Sequence, residues 1–300
     1  MISTYAKLFV TMVIWGGTWV AGRYAVLEAP PIGVAVWRFL IAGGSLLTLV
    51  AWRQGGLPRP TRAEWKLIVG LGLTGIFLYN LCFLYGLQRI GAGHGALVVA
   101  LNPVIVTLAA AWLAHERLTP RKAAGSAIAL VGCLTVIGHG SPLAPLEGEL
   151  GLGELLITGC AVLWAAYTLI GRRATKTLSP LVATAYSSAA GCAMLAAVAA
   201  IDQPAALLPA YSPLVWTCIF FLALLGTTLG FTWFNQAVAR IGAARASIFI
   251  NLVPVAAVLQ GAWLLDERLG LSVLVGGALV LAGVVLTQHT PRQILLEPLK

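Results

Sequence analysis

Two stretches decide how this chain is read: Ile90–Leu118, IGAGHGALVVALNPVIVTLAAAWLAHERL, and Ile241–Leu269, IGAARASIFINLVPVAAVLQGAWLLDERL. They align without a gap at an offset of 151 residues. They share Ile-Gly-Ala at the start, a mid-run proline (Pro103, Pro254) and Trp-Leu-x-x-Glu-Arg-Leu at the end (Trp112 to Leu118, Trp263 to Leu269). Self-similarity at a fixed offset marks a duplicated structural unit. Each copy holds roughly 20 nearly uncharged residues, and at 1.5 Å of rise per residue that spans about 30 Å, the thickness of a bilayer's hydrocarbon core. Each is therefore read as a membrane-spanning helix.

Working outward, further apolar runs fall at Leu8 to Leu27, Gly33 to Trp52, Trp65 to Gln88, Ala123 to Gly138, Leu152 to Gly171, Pro180 to Ile201, Pro213 to Ala239 and Leu271 to Gln288. With Ala92 to Leu113 and Ala243 to Leu265 inside the quoted stretches, that makes ten. The first run is long enough to span, and Trp15 and Gly22-Arg23 recur 149 positions on as Trp164 and Gly171-Arg172. It is accordingly expected to be a retained helix and not a signal peptide. In the third run Gly75, Leu78, Phe83 and Arg89 match Gly226, Leu229, Phe234 and Arg240 at the 151 offset. The chain thus divides into two five-helix repeats, 1–140 and 150–290. Five crossings end on the opposite side of the membrane, so the second repeat must enter inverted. The expected fold is an all-α integral membrane protein of ten transmembrane helices, an architecture of transporters more than of enzymes.

Composition agrees: 59% of the residues are hydrophobic and 10% charged, against about 25% charged in a soluble domain. With the N-terminus inside, all of the 19 Lys and Arg except Arg23, Arg38, Arg89 and Arg268 fall in inside segments. The positive-inside rule then places both termini in the cytoplasm of a cell whose inner, or plasma, membrane holds the chain. Orientation accounts for the net charge of +9, with no nucleic-acid partner required. Cys82, Cys133, Cys160, Cys192 and Cys218 lie in apolar runs at unrelated spacings and are read as small buried hydrophobes, with no disulfide or metal framework. There is no P-loop, HExxH or GxSxG, and His94, His115, His139 and His289 are scattered at helix ends, so neither a cofactor nor an enzyme active site is indicated. The partners expected are a small-molecule substrate and the lipid bilayer; a monomer is compatible with the sequence.

Candidate functional residues are those placed at mid-depth. Pro103 and Pro254 remove backbone hydrogen bonds at matching repeat positions and are candidate kinks or hinges. Asn102 and Asn251 set amides at the same depth, to hold a substrate's polar end or to join helices. Trp37, Trp52, Trp65, Trp112, Trp216 and Trp263 lie near helix ends and suit an interfacial belt, whereas Trp15, Trp19 and Trp164 do not. An indole N–H at mid-depth needs an acceptor or water. With Tyr167 on the sixth helix, Tyr79, Asn80 and Phe83 on the third, and Phe231 and Asn235 on the eighth, they form the candidate wall of a cavity. Helices one, three, four, six, eight and nine carry these groups; two, five, seven and ten are nearly featureless and are expected to support them from outside. Arg38 is expected to snorkel outward or to pair with Glu28. Glu116 and Glu267 are expected to cap or salt-bridge the turns in which they sit. The absence of any carboxylate or lysine near the midplane points to a neutral or zwitterionic substrate and to no carboxylate-based proton relay.

These features resemble the EamA-type transporters of the drug/metabolite transporter superfamily. The residues that carry the resemblance are Trp-Gly-Gly-Thr-Trp (Trp15 to Trp19), Arg38-Phe39 and the paired Ile-Gly-Ala to Glu-Arg-Leu blocks, and it covers roughly residues 5 to 290. It implies a basket-like bundle with alternating access between halves. Within the superfamily the chain is similar to YddG-type exporters of aromatic and other neutral amino acids, which implies amino-acid export. A broader exporter of metabolites or drugs, such as purines or cationic compounds, remains the alternative, ahead of an integral-membrane enzyme or a scaffold.

Overall fold

The computed structural model describes residues 2–102, 104–105, 119–138, 140–143, 151–241, 246, 249–267 and 270–288. Among these, in chain order, α1 is Ile2–Glu28 and α2 Pro31–Gln54. Helix α3 runs through three contiguous segments, Arg62–Leu71, a π-helical Gly72–Leu78 and Tyr79–Leu87. Then come α4 (Ala92–Val99), α5 (Pro120–Ile137), α6 (Leu152–Ala174) and α7 (Pro180–Asp202). Helix α8 again has three segments, Pro213–Phe220, a π-helical Phe221–Leu229 and Gly230–Ile241, and is followed by α9 (Leu252–Leu264) and α10 (Leu271–Gln288). Six of these, α2, α3 and α5 to α8, are long and apolar enough to cross a membrane, while α9 and α10 are apolar but shorter. At 27 residues α1 is about 40 Å long, with Trp15, Trp19 and Arg23 interrupting its apolar character.

Local chemistry sets the helix starts. Thr119-Pro120, Ser179-Pro180 and Ser212-Pro213 repeat one device: a hydroxyl accepts from the backbone N–H three residues on, and proline fills the first helical position, where its missing N–H costs nothing. Thr61 and Glu64 form a reciprocal capping box at the start of α3. Buried hydroxyls inside the helices bond back to their own backbone, as Thr11 does to Lys7 O and Thr184 to Pro180 O. Outward-facing side chains such as Trp52, Ile201 and Trp263 are nearly fully exposed, as expected where lipid is the solvent.

The helices pack in pairs that exchange the two halves. Helix α5 lies on α10 through glycines: a Cβ on Gly125 would meet the carbonyl of Gly283, and one on Gly132 the carbonyl of Gly276. Position rises along one helix as it falls along the other, so the pair is antiparallel. Small residues let two backbones touch where no hydrophobic effect drives association. Helices α2 and α7 are likewise antiparallel, with Cys192 Sγ donating to Val36 O while Gly43 faces Ala189. Helix α1 packs on α8 and α9, and α6 on α3 and α4.

The fourth and ninth apolar runs, expected as single helices, are interrupted. Helix α4 ends at Val99 and the chain turns at Ala100–Leu101; residues 249–250 are helical, Asn251 is a turn, and α9 restarts at Leu252. The two breaks occupy the same repeat position. Proline explains the second, since Pro254 sits at the third position of α9, where no intrahelical donor is called for. Its counterpart Pro103 lies outside the described residues, as do Trp112, Glu116, Arg245 and Arg268.

Candidate functional site: a central cavity between the halves

Both π-helical segments sit in the third helix of their repeat, with Gly75 and Gly226 at matching positions within them. A π turn leaves carbonyls free of their usual donors. These segments use that freedom: Trp15 Nε1 donates to Gly226 O at 2.9 Å, and Thr227 Oγ1 to Leu222 O at 2.9 Å, five residues back. The mid-depth indole of Trp15 thus finds the acceptor it needs in the opposite half.

Between the two π segments lies Arg38. Its Nη1 donates to Asn80 Oδ1 at 3.0 Å and its Nη2 to Thr227 Oγ1 at 3.5 Å, while its guanidinium rests 5.0 Å from the ring centre of Phe39. Asn80 is in turn fixed by its Nδ2 donating to Ile76 O at 2.8 Å. Arg38 therefore neither snorkels outward nor pairs with Glu28, whose carboxylate instead accepts from Ser212 Oγ at 2.8 Å. It projects inward from a helix that the sequence pattern left featureless. Among the described residues no carboxylate lies within 4.0 Å of it; the ion-pair contact found there is His94 Nε2 with Glu154 Oε1, at 4.0 Å.

Arg38 forms part of the wall of a cavity of about 610 Å³, within the range of small-molecule sites. Trp15, Trp19, Tyr79, Phe83 and Asn102 line it from the first half, and Trp164, Tyr167, Phe231, Asn235, Asn251 and Pro254 from the second. Asn80, expected on this wall, stands behind it, buried and occupied with Arg38. Two aromatic groups result. One runs Trp19, Phe83, Tyr79, Trp164, Tyr167, with neighbouring ring centres 4.9 to 6.0 Å apart; the other sets Trp15 against Phe231 and Phe234 at 5.5 and 5.3 Å. The supporting helices also reach the wall, through Arg38 of α2, Thr184 of α7 and Val284 of α10. Trp37 and Trp216, expected in an interfacial belt, pack edge to face on each other at 5.2 Å.

One end of the cavity is shut. Glu267 Oε1 and Oε2 accept from the backbone N–H groups of Ala92 and Gly93, at 2.6 and 3.0 Å, so this carboxylate caps α4 from the far half of the chain. A carboxylate at a helix N-terminus meets both unpaired donors and the positive end of the dipole. Around it Arg23 donates to Leu87 O, Tyr24 to Leu264 O, and Gln88 Nε2 to Val26 O at 3.3 Å. Toward the other end the wall continues past Gly171, Thr175 and Pro180, where α6 gives way to α7. Among the described residues no three His, Cys, Asp or Glu side chains converge on one point, and all five cysteines are free thiols.

An apolar helical bundle enclosing an aromatic cavity, sealed at one end and shared between two repeats, defines a multi-pass membrane transporter. The chain belongs to the EamA-like transporter family, which matches residues 2–138 and again 151–288. An uncharacterized transporter of Bacillus subtilis (strain 168), YyaM, is 30% identical, with 95% of this chain and 93% of that protein covered. A protein of Streptantibioticus cattleyicolor named as a probable terminal-alkyne amino-acid exporter is also 30% identical, covering 93% of this chain and 91% of its own length. The uncharacterized inner membrane transporter YedA of Escherichia coli (strain K12) is 27% identical over 96% of this chain and 91% of its own. A crystal structure 21% identical in sequence shares the fold over 95% of this chain and 96% of its own, with a TM-score of 0.64.

Proposed function

We propose that this transporter is a secondary carrier that exports small metabolites, foremost neutral and aromatic amino acids, across a bacterial inner membrane by alternating access. The observation that carries the reading is the cavity, whose wall of indole, phenol and amide groups comes from both halves and is bordered by two helix breaks at equivalent positions. Broken helices at such a site are how membrane transporters expose backbone polarity only where it faces a cavity. The amino-acid exporter among the relatives supports the substrate class.

In this reading ten helices span the membrane as two inverted repeats, 1–140 and 150–290, with both termini in the cytoplasm. The antiparallel pairing of α2 with α7 and of α5 with α10 favours inversion, because equivalent helices related by an axis in the membrane plane must run in opposite senses. The sealed end then faces outward and the cavity reaches toward the cytoplasm, so the conformation is inward-facing. Trp15, Trp19, Tyr79, Phe83, Asn102, Trp164, Tyr167, Phe231, Asn235 and Asn251 contact substrate, Asn80 acts through Arg38, and the backbone bends near Pro103 and Pro254. Pro254→Ala is expected to slow transport severalfold with little change in apparent affinity.

The deciding experiment is release of labelled amino acids from preloaded proteoliposomes. Selective release of neutral and aromatic amino acids above empty vesicles is expected. If correctly folded protein releases none, the amino-acid reading fails and the alternative of other metabolites takes its place.

A further inference from the structure

Resting on that transporter reading and narrowing its substrate class, we infer that Arg38 is the binding post for a substrate carboxylate. The cavity accordingly takes carboxylate-bearing molecules, zwitterionic amino acids among them, and turns away amines that lack one.

The argument starts from charge. An arginine keeps its proton even where water is scarce, and a cation inside a membrane bundle is costly unless a counter-charge meets it. Arg38 lines the cavity and has no carboxylate within ion-pair distance among the described residues. Its neutral partners fix its position but do not cancel its charge. A carboxylate brought by a ligand would cancel it.

Geometry points the same way. Nη1 is committed to Asn80, but Nε has no acceptor among the described residues, and Nη2 reaches Thr227 only at 3.5 Å. Nε and Nη2 form one edge of the guanidinium, the fork that receives both oxygens of a carboxylate. Nε is itself buried, so a carboxylate meets this edge only when the side chain rotates toward the cavity, and the orphaned N–H gains an acceptor in the process. Among the buried polar atoms lacking a partner, one other belongs to the cavity wall: Asn102 Oδ1, an acceptor. A positive donor and a neutral acceptor on one wall match a carboxylate with an ammonium beside it, and the aromatic faces suit the side chain.

The position is also asymmetric. At the 149 offset Arg38 corresponds to Ser187, which is buried and donates to its own helix at Thr184 O. One half supplies a charge and the other does not. A role confined to holding the two π segments together calls for hydrogen bonds alone, and hydrogen bonds alone do not call for an unpaired charge.

The test uses three ligands with one ring system: L-tryptophan, indole-3-propionate, which keeps the carboxylate, and tryptamine, which keeps only the amine. In proteoliposomes of the full chain, the first two are expected to inhibit amino-acid release, tryptophan more strongly, and tryptamine to act about ten- to a hundredfold more weakly. Binding of the same series to purified protein is measured by thermal shift in parallel. Arg38→Gln should abolish the discrimination and Arg38→Lys should keep part of it; the ligand series on the unaltered protein gives the answer even if either variant fails to fold. Tryptamine acting as well as tryptophan, or a folded Arg38→Gln protein that still discriminates, overturns the assignment and leaves amino-acid export standing. Arginine-dependent binding of indole-3-propionate without any amino-acid release retires the export reading and sustains the carboxylate post. Neither release nor carboxylate binding overturns both.

Discussion

Gly75 and Gly226 hold the same place in the two repeats, and each receives a side chain from the first helix of the opposite half: Tyr167 packs on Gly75 and Thr18 on Gly226. Tyr167 and Thr18 are themselves equivalent at the 149 offset. Around the cavity the aromatic positions stay equivalent, Trp15 with Trp164 and Phe83 with Phe234, but the polar ones do not: Arg38 answers to Ser187, Asn80 to Phe231 and Asn102 to Val253. The lesson is that apolar contacts which hold the halves together are kept in both copies, while the polar groups that meet a substrate need exist only once. Two-fold pairing suits packing; a ligand without two-fold symmetry needs a wall without it.

The strongest way to break this comparison is at its most symmetric contact. A Cβ on Gly132 would lie 2.6 Å from Gly276 O and from Val280 N, and one on Gly276 2.7 Å from Gly132 O, all backbone atoms that cannot swing aside. Gly132→Val and Gly276→Val are each expected to cost about 3 kcal/mol or more, seen as loss of the monodisperse peak in detergent. Gly44→Ala, with nothing within 4 Å of its Cβ, should leave the peak intact. Tolerance of both valines would show that α5 and α10 are not a fixed pair.

How much of this was legible in the sequence follows from what each feature depends on. Most of the helical runs were readable because a membrane helix must be largely apolar, and the repeat and the family because their motifs stand in the sequence; the breaks at Ala100–Leu101 and Asn251 were not. The aromatic wall was readable because Trp15, Trp19 and Trp164 lie too deep for an interface. The π segments were not, because Gly72–Leu78 is as apolar as an ordinary helix and only Gly75, repeated at Gly226, hinted at a special position. Arg38 was misplaced because distance from a helix end says nothing about which way a side chain turns. Glu267 was assigned to its own turn because sequence offers local partners, and its real ones are about 175 residues away.

A second, smaller effect sharpens the comparison at the sealed end. Glu267→Ala removes two charge-assisted hydrogen bonds to the start of α4 and is expected to lower stability by about 2 kcal/mol. Because those bonds join the two halves at that end, the same variant should raise the labelling rate of a cysteine placed at Ala25, buried beside Tyr24 and Val26, several-fold. A drop in melting temperature without faster labelling would make Glu267 a cap and nothing more.

The finest test concerns the two equivalent tryptophans. Trp15 spends its indole N–H on Gly226 O, joining α1 to the π segment of α8, whereas Trp164 lies in the aromatic run between Tyr79 and Tyr167, with ring centres 5.9 and 5.3 Å away. Phenylalanine keeps a ring in either place and deletes the N–H. Trp15→Phe leaves a carbonyl in a π segment without its donor, at a cost of about 1 kcal/mol, so the melting temperature should fall by a few degrees. Trp164→Phe should leave melting unchanged and weaken the apparent affinity for an aromatic substrate a few-fold, because the face it offers the cavity is smaller. Equal melting shifts in the two variants would mean that Trp164 also holds the halves together. The division between paired packing and unpaired recognition would then have to be drawn nearer to Arg38.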